Sequence, residues 1–449
     1  MLQSLKMEDY DVVIVGGGFS GLSAALNLVR NGKKVHLIEK SNKLGGLAST
    51  FSFSEEIEVE KFYHHWFNTD NYIIELIKSL KLEKNVIYEP SNTGIFFNNK
   101  IWKLSTPIEL LKFTALPLFD RIRLGVLIFY VRLIKNWKKI EHLTIKEWLK
   151  PICGENVYKI VWEPLIQSKF SVHSENISAV WMWKKLLLRG GSRNKSGKEN
   201  LAYYKGGFGN LINEIGAFLE KSGCKISYNI NITTVEIYDN KIKNISSKNN
   251  VINGKSFLFT CSLPELATIF QYSNKKIWLN NLKKISYLAN ICLVLKLTKP
   301  LSEVYWLNIN DPGFPFVGII EHTNLDDPKS YDNFHIAYLS KYISRENPVW
   351  NYDDKEYFNY AIKHLSKIFP EFKKNLVSDY SIWRADYAQP ITTPNYSKLL
   401  EKIKMPFSNS FLCTMAQIYP EDRGTNFAVR DGIKVSKKII THLNCHKGV

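Results

Sequence analysis

Residues Gly16-Gly17-Gly18-Phe19-Ser20-Gly21 set glycines at positions 16, 18 and 21, directly after the β-branched run Tyr10 to Val15. The spacing G-x-G-x-x-G serves one kind of chemistry, the close approach of backbone N–H groups to a pyrophosphate. Gly16 permits the tight turn off the strand, Gly18 lets the phosphates reach the backbone, and Gly21 lets the next helix sit against the sheet. The N-terminus of that helix, at Phe19 and Ser20, supplies unpaired N–H donors. Glu39 follows 18 residues after Gly21, at the end of a second apolar run, Lys34 to Glu39. There it is placed to accept hydrogen bonds from an adenosine ribose.

These residues need a βαβ unit to hold them. Tyr10 to Val15 is apolar enough for a strand buried on both faces. Leu22, Ala25, Leu26 and Val29 repeat at helical spacing and stop at Asn31-Gly32. A glycine-rich turn in an unrelated α/β protein would show one or two of these features. Here strand, turn, helix, strand and terminal acid come in order.

A length of 449 residues favours two domains. Apolar residues make up 45% and aromatics 13%, ample for packed cores. The formal charge of +18 comes from 60 Lys and Arg against 42 Asp and Glu. The basic residues are scattered rather than gathered in one block, which argues against nucleic acid as a partner. None of the six cysteines forms a CxxC pair, and no Cys/His cluster has metal-binding spacing. They read as free thiols of a reducing compartment. With no secretory core at the N-terminus, the expected location is cytoplasmic.

After Glu39-Lys40 comes Ser41-Asn-Lys-Leu-Gly45-Gly46-Leu47-Ala48. Together they read Glu-Lys-x-x-x-x-Gly-Gly. This resembles the flavin amine oxidase superfamily, which includes amine oxidases, protoporphyrinogen oxidase, phytoene desaturases and, more distantly, UDP-galactopyranose mutase. Further along, Gly206-Gly207-Phe208, the strand-like segment around Val235, Phe257 to Pro264, Trp383 with Ala388-Gln389-Pro390, and Gly424-Thr425-Asn426 resemble later motifs of the same group. The resemblance runs from about residue 8 to residue 443.

It implies FAD as cofactor and an α/β fold, in which a Rossmann-like FAD-binding domain interleaves with an α+β substrate domain. Residues 8–65, 200–265 and 400–445 would form the first domain, and 66–199 and 266–399 the second. The first insert reads mainly helical; the second carries strands, beginning at Ile291 to Leu297. Gly190 to Asn200 reads as a loop between the domains. FAD would lie on Gly16, Gly18, Phe19, Ser20 and Gly21, on Glu39 and Lys40, and on Gly45, Gly46, Leu47 and Ala48. Val235 would meet the adenine, and Gly424, Thr425 and Asn426 the pyrimidine edge of the flavin. One feature departs from the family. The acid that usually follows the last strand is missing near Met415, with Gln417, Glu421 and Asp422 as nearby substitutes.

Hydride transfer to flavin N5 needs a dry, aromatic site. Phe62-Tyr63-His64-His65-Trp66 falls where family members approach the flavin ring. His64 and His65 diverge on extended backbone, so one could face the flavin as proton donor or acceptor; a packed aromatic turn with a structural histidine fits equally. Arg423 could hold an anionic substrate or charge developing on the flavin. Glu163 before Pro164 reads as a base or, more simply, a helix cap. Trp181 and Trp183 with Arg189 could line an apolar tunnel or be plain core. Glu321-His322 reads as a proton-handling pair or a solvated loop. Lys296 stands on the strand where amine oxidases carry a lysine near N5, but in the wrong register.

The implied activity is dehydrogenation or isomerisation of a largely apolar, isoprenoid-like small molecule. Two rivals follow from the same resemblance. A mutase-like non-redox flavoenzyme would need several cations converging on a diphosphate, and the sequence shows no such cluster. A flavin-free binding module of the GDP-dissociation-inhibitor type would not need the intact glycine set. Finally, Leu124 to Val131 is apolar on every face and flanked by Arg121, Arg123, Arg132 and Lys135. That suits a helix lying on the inner face of a membrane, or a buried helix.

Overall fold

The structure is a computed structural model describing residues 10–55, 57–104, 106–191 and 199–445, without the side chains of 189–191. The expected tunnel residue Arg189 and most of the Gly190–Asn200 segment therefore lie outside what is described.

Tyr10–Val15 forms the central strand of a parallel sheet, with Val12, Val13 and Ile14 fully buried. Val35–Ile38 and then Lys225–Ser227 follow on one side. Val251–Phe259 and then Ser410–Leu412 follow on the other. The first residues of Val251–Phe259 also extend an antiparallel meander of Thr234–Tyr238 and Lys241–Ser246. Helix Phe19–Arg30 links the first two strands, and helix Thr425–Cys445 from the far end of the chain lies along it. Their contact is close: a Cβ on Gly432 would strike Ser20 and Ser23. Asn27 donates to Ser436 Oγ at 2.8 Å beside it.

A second sheet runs Val377–Pro390, Tyr287–Leu297, His335–Ile343, Gly318–Glu321, Trp306–Ile309, Thr93–Phe97, Lys100–Lys103. It is antiparallel except where Trp306–Ile309 pairs with Thr93–Phe97. Alternation divides its side chains. Leu293, Leu295 and Leu339 enter a core closed by helix Asp354–Ile368. Cys292, Val294 and Tyr338 face the core around the glycine motifs, while Leu288 and Tyr342 face a helical layer. The fold is thus mixed α/β with both parallel and antiparallel sheets.

The helical layer contains Leu118–Leu133, Ile145–Cys153, Glu163–Phe170 and Ala179–Gly191. A π-helical turn at Tyr158–Trp162 interrupts it. Asn310 fills that irregularity, donating to the carbonyls of Ile160 and Val161 at 3.2 Å each. The first insert is less purely helical than its sequence suggested. Val86–Ser91, Thr93–Phe97 and Lys100–Lys103 are strands. The last two form a hairpin whose turn residues Asn98 and Asn99 sit at φ 53° and 55°. Asparagine tolerates that left-handed conformation, and Asp311 accepts both turn N–H groups at 2.9 and 3.1 Å. All six cysteines are unbridged.

Candidate active site

The glycine turns are required by space as well as by conformation. Gly16 has φ +112°, and a Cβ there would strike the Thr260 side chain. A Cβ on Gly21 would strike the Gly16 carbonyl, so only glycine lets this helix start against the strand. Gly18 bridges to Gly45, and the Gly45 N–H donates to the Gly17 carbonyl at 2.9 Å. Gly45 and Gly46 have φ 112° and 57°. A Cβ on Gly18 would stand 3.9 Å from the Gly45 carbonyl oxygen and 4.0 Å from Gly46 Cα, so this face of Gly18 looks onto the second glycine pair. This cradle fits the pyrophosphate of a dinucleotide such as FAD.

Glu39 is 5% exposed and ties the cradle to the second strand. One carboxylate oxygen accepts the Gly17 N–H at 2.8 Å, the other the Ser41 N–H at 2.8 Å. Lys40, in contrast, is exposed and pairs with Glu265. Phe19 and Ala48 are buried, Phe19 edge-on to Phe208, so these two side chains are core while their backbone borders the cradle. Leu47 shares the short turn Gly46–Ala48 and is partly buried. Val235 packs against the cluster holding Val15 and Ile38.

Gly424 has open space where a Cβ would project. Thr425 and Asn426 begin the last helix. Thr425 Oγ1 accepts from the Trp66 indole at 2.8 Å, and Asn426 Oδ1 from the Ile73 N–H at 3.1 Å. Those two side chains brace the helix start, leaving its backbone to meet a ligand. Gln417 does not stand in for the missing acid, because its Oε1 accepts the Thr414 N–H at 3.0 Å.

The two histidines diverge. His64 lies against Phe208, ring centroids 5.3 Å apart. Its Nδ1 is 2.6 Å from the Phe62 carbonyl and so carries the proton, leaving Nε2 as acceptor. Burial, with Arg423 nearby, brings its pKa down to about 4. At neutral pH it is an uncharged base rather than an acid. His65 turns the other way, to the Tyr305 hydroxyl at 2.9 Å and the Trp306 ring. Tyr63 stands edge-on to Trp306, centroids 5.0 Å apart, against the face of the second sheet.

Arg423 reaches the same place from the other end of the chain. Its Nε donates to Gln389 Oε1 at 2.8 Å, and a terminal nitrogen donates to the Tyr342 hydroxyl. The preceding acid, Asp422, is 8% exposed. It accepts from the Trp181 indole at 2.9 Å and pairs with Lys185 at 2.8 Å and Lys169 at 4.0 Å. Burial would raise the Asp422 carboxyl, but Lys185, Lys169 and Arg423 hold it well below the usual range. Glu421 pairs with Arg430 at 2.9 Å and Lys184 at 3.7 Å. Cations therefore gather around these two carboxylates, an arrangement not evident in the sequence. Its members come from three separate segments, and the lysines show no local pattern.

Other candidates fall elsewhere. Glu321 and His322 are 1% and 0% exposed, so neither belongs to a solvated loop. Glu321 accepts the N–H groups of Leu301 and Ser302 at 2.7 and 2.8 Å. His322 Nε2 meets the Tyr331 hydroxyl at 2.7 Å. Both are folding anchors. Lys296 lies over the Phe334 ring. Glu163 opens helix Glu163–Phe170, next to Pro164. Trp183 donates its indole N–H to the Val131 carbonyl, whereas Trp181 reaches the cation cluster.

Residues 19–440 match the model of the family described as flavin containing amine oxidoreductase. Over 102 residues the chain is 34% identical to a pseudooxynicotine dehydrogenase of Pseudomonas sp, an alignment spanning 22% of this chain and 20% of that relative. Among solved structures, it resembles a protein from Exiguobacterium sp. 255-15 assigned as a protoporphyrinogen oxidase. The TM-score is 0.76 at 15% identity, covering 96% of this chain and 99% of that one. It is similar to the same degree to a reduced UDP-galactopyranose mutase: TM-score 0.76, 16% identity, 97% and 94% coverage.

Proposed function

The chain belongs to the flavin containing amine oxidoreductase family, and from that premise we propose how its own residues work as a flavin-dependent oxidoreductase. Membership sets aside the flavin-free binding module, since the family's enzymes carry flavin. The observation that carries the proposal is the glycine turn Gly16–Gly21, opening helix Phe19–Arg30 beside the paired Gly45-Gly46 segment and tied to the second strand by Glu39.

FAD lies along that turn, with Glu39 at the ribose and the N-terminus of helix Thr425–Cys445 at the flavin ring. The FAD-binding domain draws on residues 8–65, 200–265 and 400–445, and the substrate domain on the two inserts. Bound FAD supplies a two-electron acceptor for hydride. Tyr63 and Trp306 keep the site dry. His64 takes a proton from the substrate at Nε2, and Arg423 balances negative charge. The substrate is largely apolar and isoprenoid-like, and the enzyme dehydrogenates or isomerises it. Anaerobic incubation with isoprenoid and amine panels tests this: one class should bleach the flavin.

A second reading, the non-redox mutase, draws support from the cations around Glu421 and Asp422. A substrate that turns over on reduced enzyme without bleaching oxidised flavin would favour it.

The enzyme works in the cytoplasm, on a membrane surface. Helix Leu118–Leu133 supports this with Phe119, Phe129 and Leu133 exposed at 72%, 69% and 75%. Lys112, Arg132 and Lys135 are exposed around it, suiting an anionic interface. Arg121 and Arg123 are fixed beside the helix, because their guanidiniums donate to the backbone carbonyls of Leu111, Leu116, Pro151 and Ile152. Among the described residues, no helix is long and apolar enough to cross a membrane.

A further inference from the structure

Lys61 follows the short strand Glu58–Glu60, and its backbone N–H donates to the Ser49 carbonyl at 3.0 Å. Ser49 closes the turn after Gly46, donating its own N–H to the Gly46 carbonyl at 3.2 Å. Lys61 is therefore tied by one hydrogen bond to the second glycine segment. Its side chain lies over the Trp383 ring, with Nζ 4.4 Å from the centroid. Trp383 comes from Val377–Pro390, the edge strand of the second sheet. Phe51 packs on the same indole, centroids 5.1 Å apart. A cation from the glycine-cradle side is thus steered by a ring from the other sheet.

Both partners hold a donor without an acceptor. Lys61 is partly buried, and its ammonium has neither an ion pair nor an acceptor among the described residues. The buried Trp383 indole N–H has none either. Lys40 and Lys43, which precede Gly45, are instead taken by Glu265 and Glu58. Burial presses the Lys61 ammonium below the ordinary lysine value, Lys43 adds to this, and Glu39 offsets it only in part. A cation drawn out of water without an acid carries a cost that an arriving anion would recover.

The dinucleotide brings such an anion. Its pyrophosphate carries two negative charges, while residues 16–21 and 45–48 are Gly, Phe, Ser, Leu and Ala alone. The turns therefore offer backbone N–H groups and the partial charge of a helix end, and no full positive charge. We infer that Lys61 is the side-chain counter-ion of the FAD pyrophosphate, aimed by the face of Trp383. The inference rests on the flavoenzyme reading above and adds to it the one cation that completes the cradle. Trp383 is a positioning residue, acting on the cofactor through Lys61.

The test is FAD affinity of the full-length chain, followed by flavin fluorescence at stepped NaCl concentrations. Lys61→Met keeps the apolar stem and should weaken FAD by about tenfold, the worth of a hydrogen bond to a charged group. Its remaining affinity should fall less steeply with salt than that of wild type. Lys61→Arg should restore most of the loss. Trp383→Leu should weaken FAD by about threefold in wild type and have no effect in the Lys61→Met background, which a merely structural tryptophan would not show. The midpoint potential of the bound flavin should be the same in wild type and Lys61→Met, because the pyrophosphate keeps its charge when the ring is reduced. Circular dichroism reports that each variant is folded, and Lys296→Met, whose ammonium lies over Phe334, should bind FAD as wild type does. Equal FAD affinity and salt dependence in wild type and Lys61→Met would overturn the inference. So would a shifted flavin potential, which would place Lys61 at the ring, or additive losses from Lys61→Met and Trp383→Leu. Wild-type protein that takes up no FAD would instead overturn the flavoenzyme reading itself.

Discussion

The Glu39 carboxylate accepts the backbone N–H of Gly17 at 2.8 Å, tying the end of the second strand to the centre of the glycine turn. Its other oxygen accepts the Ser41 N–H. An acid at this position therefore shapes the cradle before any ribose arrives. Glu39→Ala leaves two backbone donors without their acceptor, at about 1–3 kcal/mol each. Urea titration followed by flavin fluorescence should show the variant releasing FAD at lower urea than wild type. Coincident release curves would mean the acid does not organise the turn.

Gly18→Val adds a side chain at the glycine turn where a Cβ meets only ordinary contacts. The protein should purify colourless, with near-native circular dichroism, because the change blocks the ligand more than it disturbs the core. Gly18→Val that remains yellow would move the cofactor elsewhere.

Stability should fall on the acid side through two buried imidazoles. Burial lowers His322 from 6.5 to about 3 and His64 from 6.5 to about 4. A depressed pKa means the unfolded chain takes up protons that the native state refuses. Each contribution is fully present above pH 6.5 and is lost as pH falls toward the folded value. Glu321 and Asp70, raised by burial to about 7 and about 6, act with the opposite sign. The comparison is therefore the difference between wild type and His322→Phe. Urea unfolding between pH 4 and 7 should show a shallower acid-side fall in the variant, and parallel curves would contradict the assignment.

Helix Leu118–Leu133 carries the membrane prediction. Replacing Phe119, Phe129 and Leu133 together with Ser should abolish sedimentation with anionic liposomes while leaving flavin absorbance intact. Arg121→Ala should instead loosen the loop between Leu111 and Leu116, lowering the melting temperature. Wild-type protein that never sediments with such liposomes would end the membrane reading.

What the sequence disclosed follows from the range of each signal. The βαβ unit was legible because residues 10–46 carry strand, turn, helix and second glycine pair in one uninterrupted stretch, and glycine there is dictated by backbone geometry. The divergence of His64 and His65 was equally local. The cation cluster was not legible. Lys169, Lys185, Tyr342 and Arg423 meet only after the helical layer and the second sheet close on each other, and the Arg423–Tyr342 contact spans 81 residues. The buried state of Glu321 and His322 was hidden for the same reason, since an acid beside a histidine looks alike in a solvated loop and in a closed anchor. The Asn98-Asn99 turn was a local signal for a hairpin, passed over amid helical neighbours.

The central claim is that this chain holds FAD at the glycine turn Gly16–Gly21, and it is tested most directly by the visible absorption spectrum of the purified protein. Heat release and chromatography then identify any chromophore. The account predicts a flavin spectrum and released FAD. Colourless protein that also takes up no added FAD would contradict it.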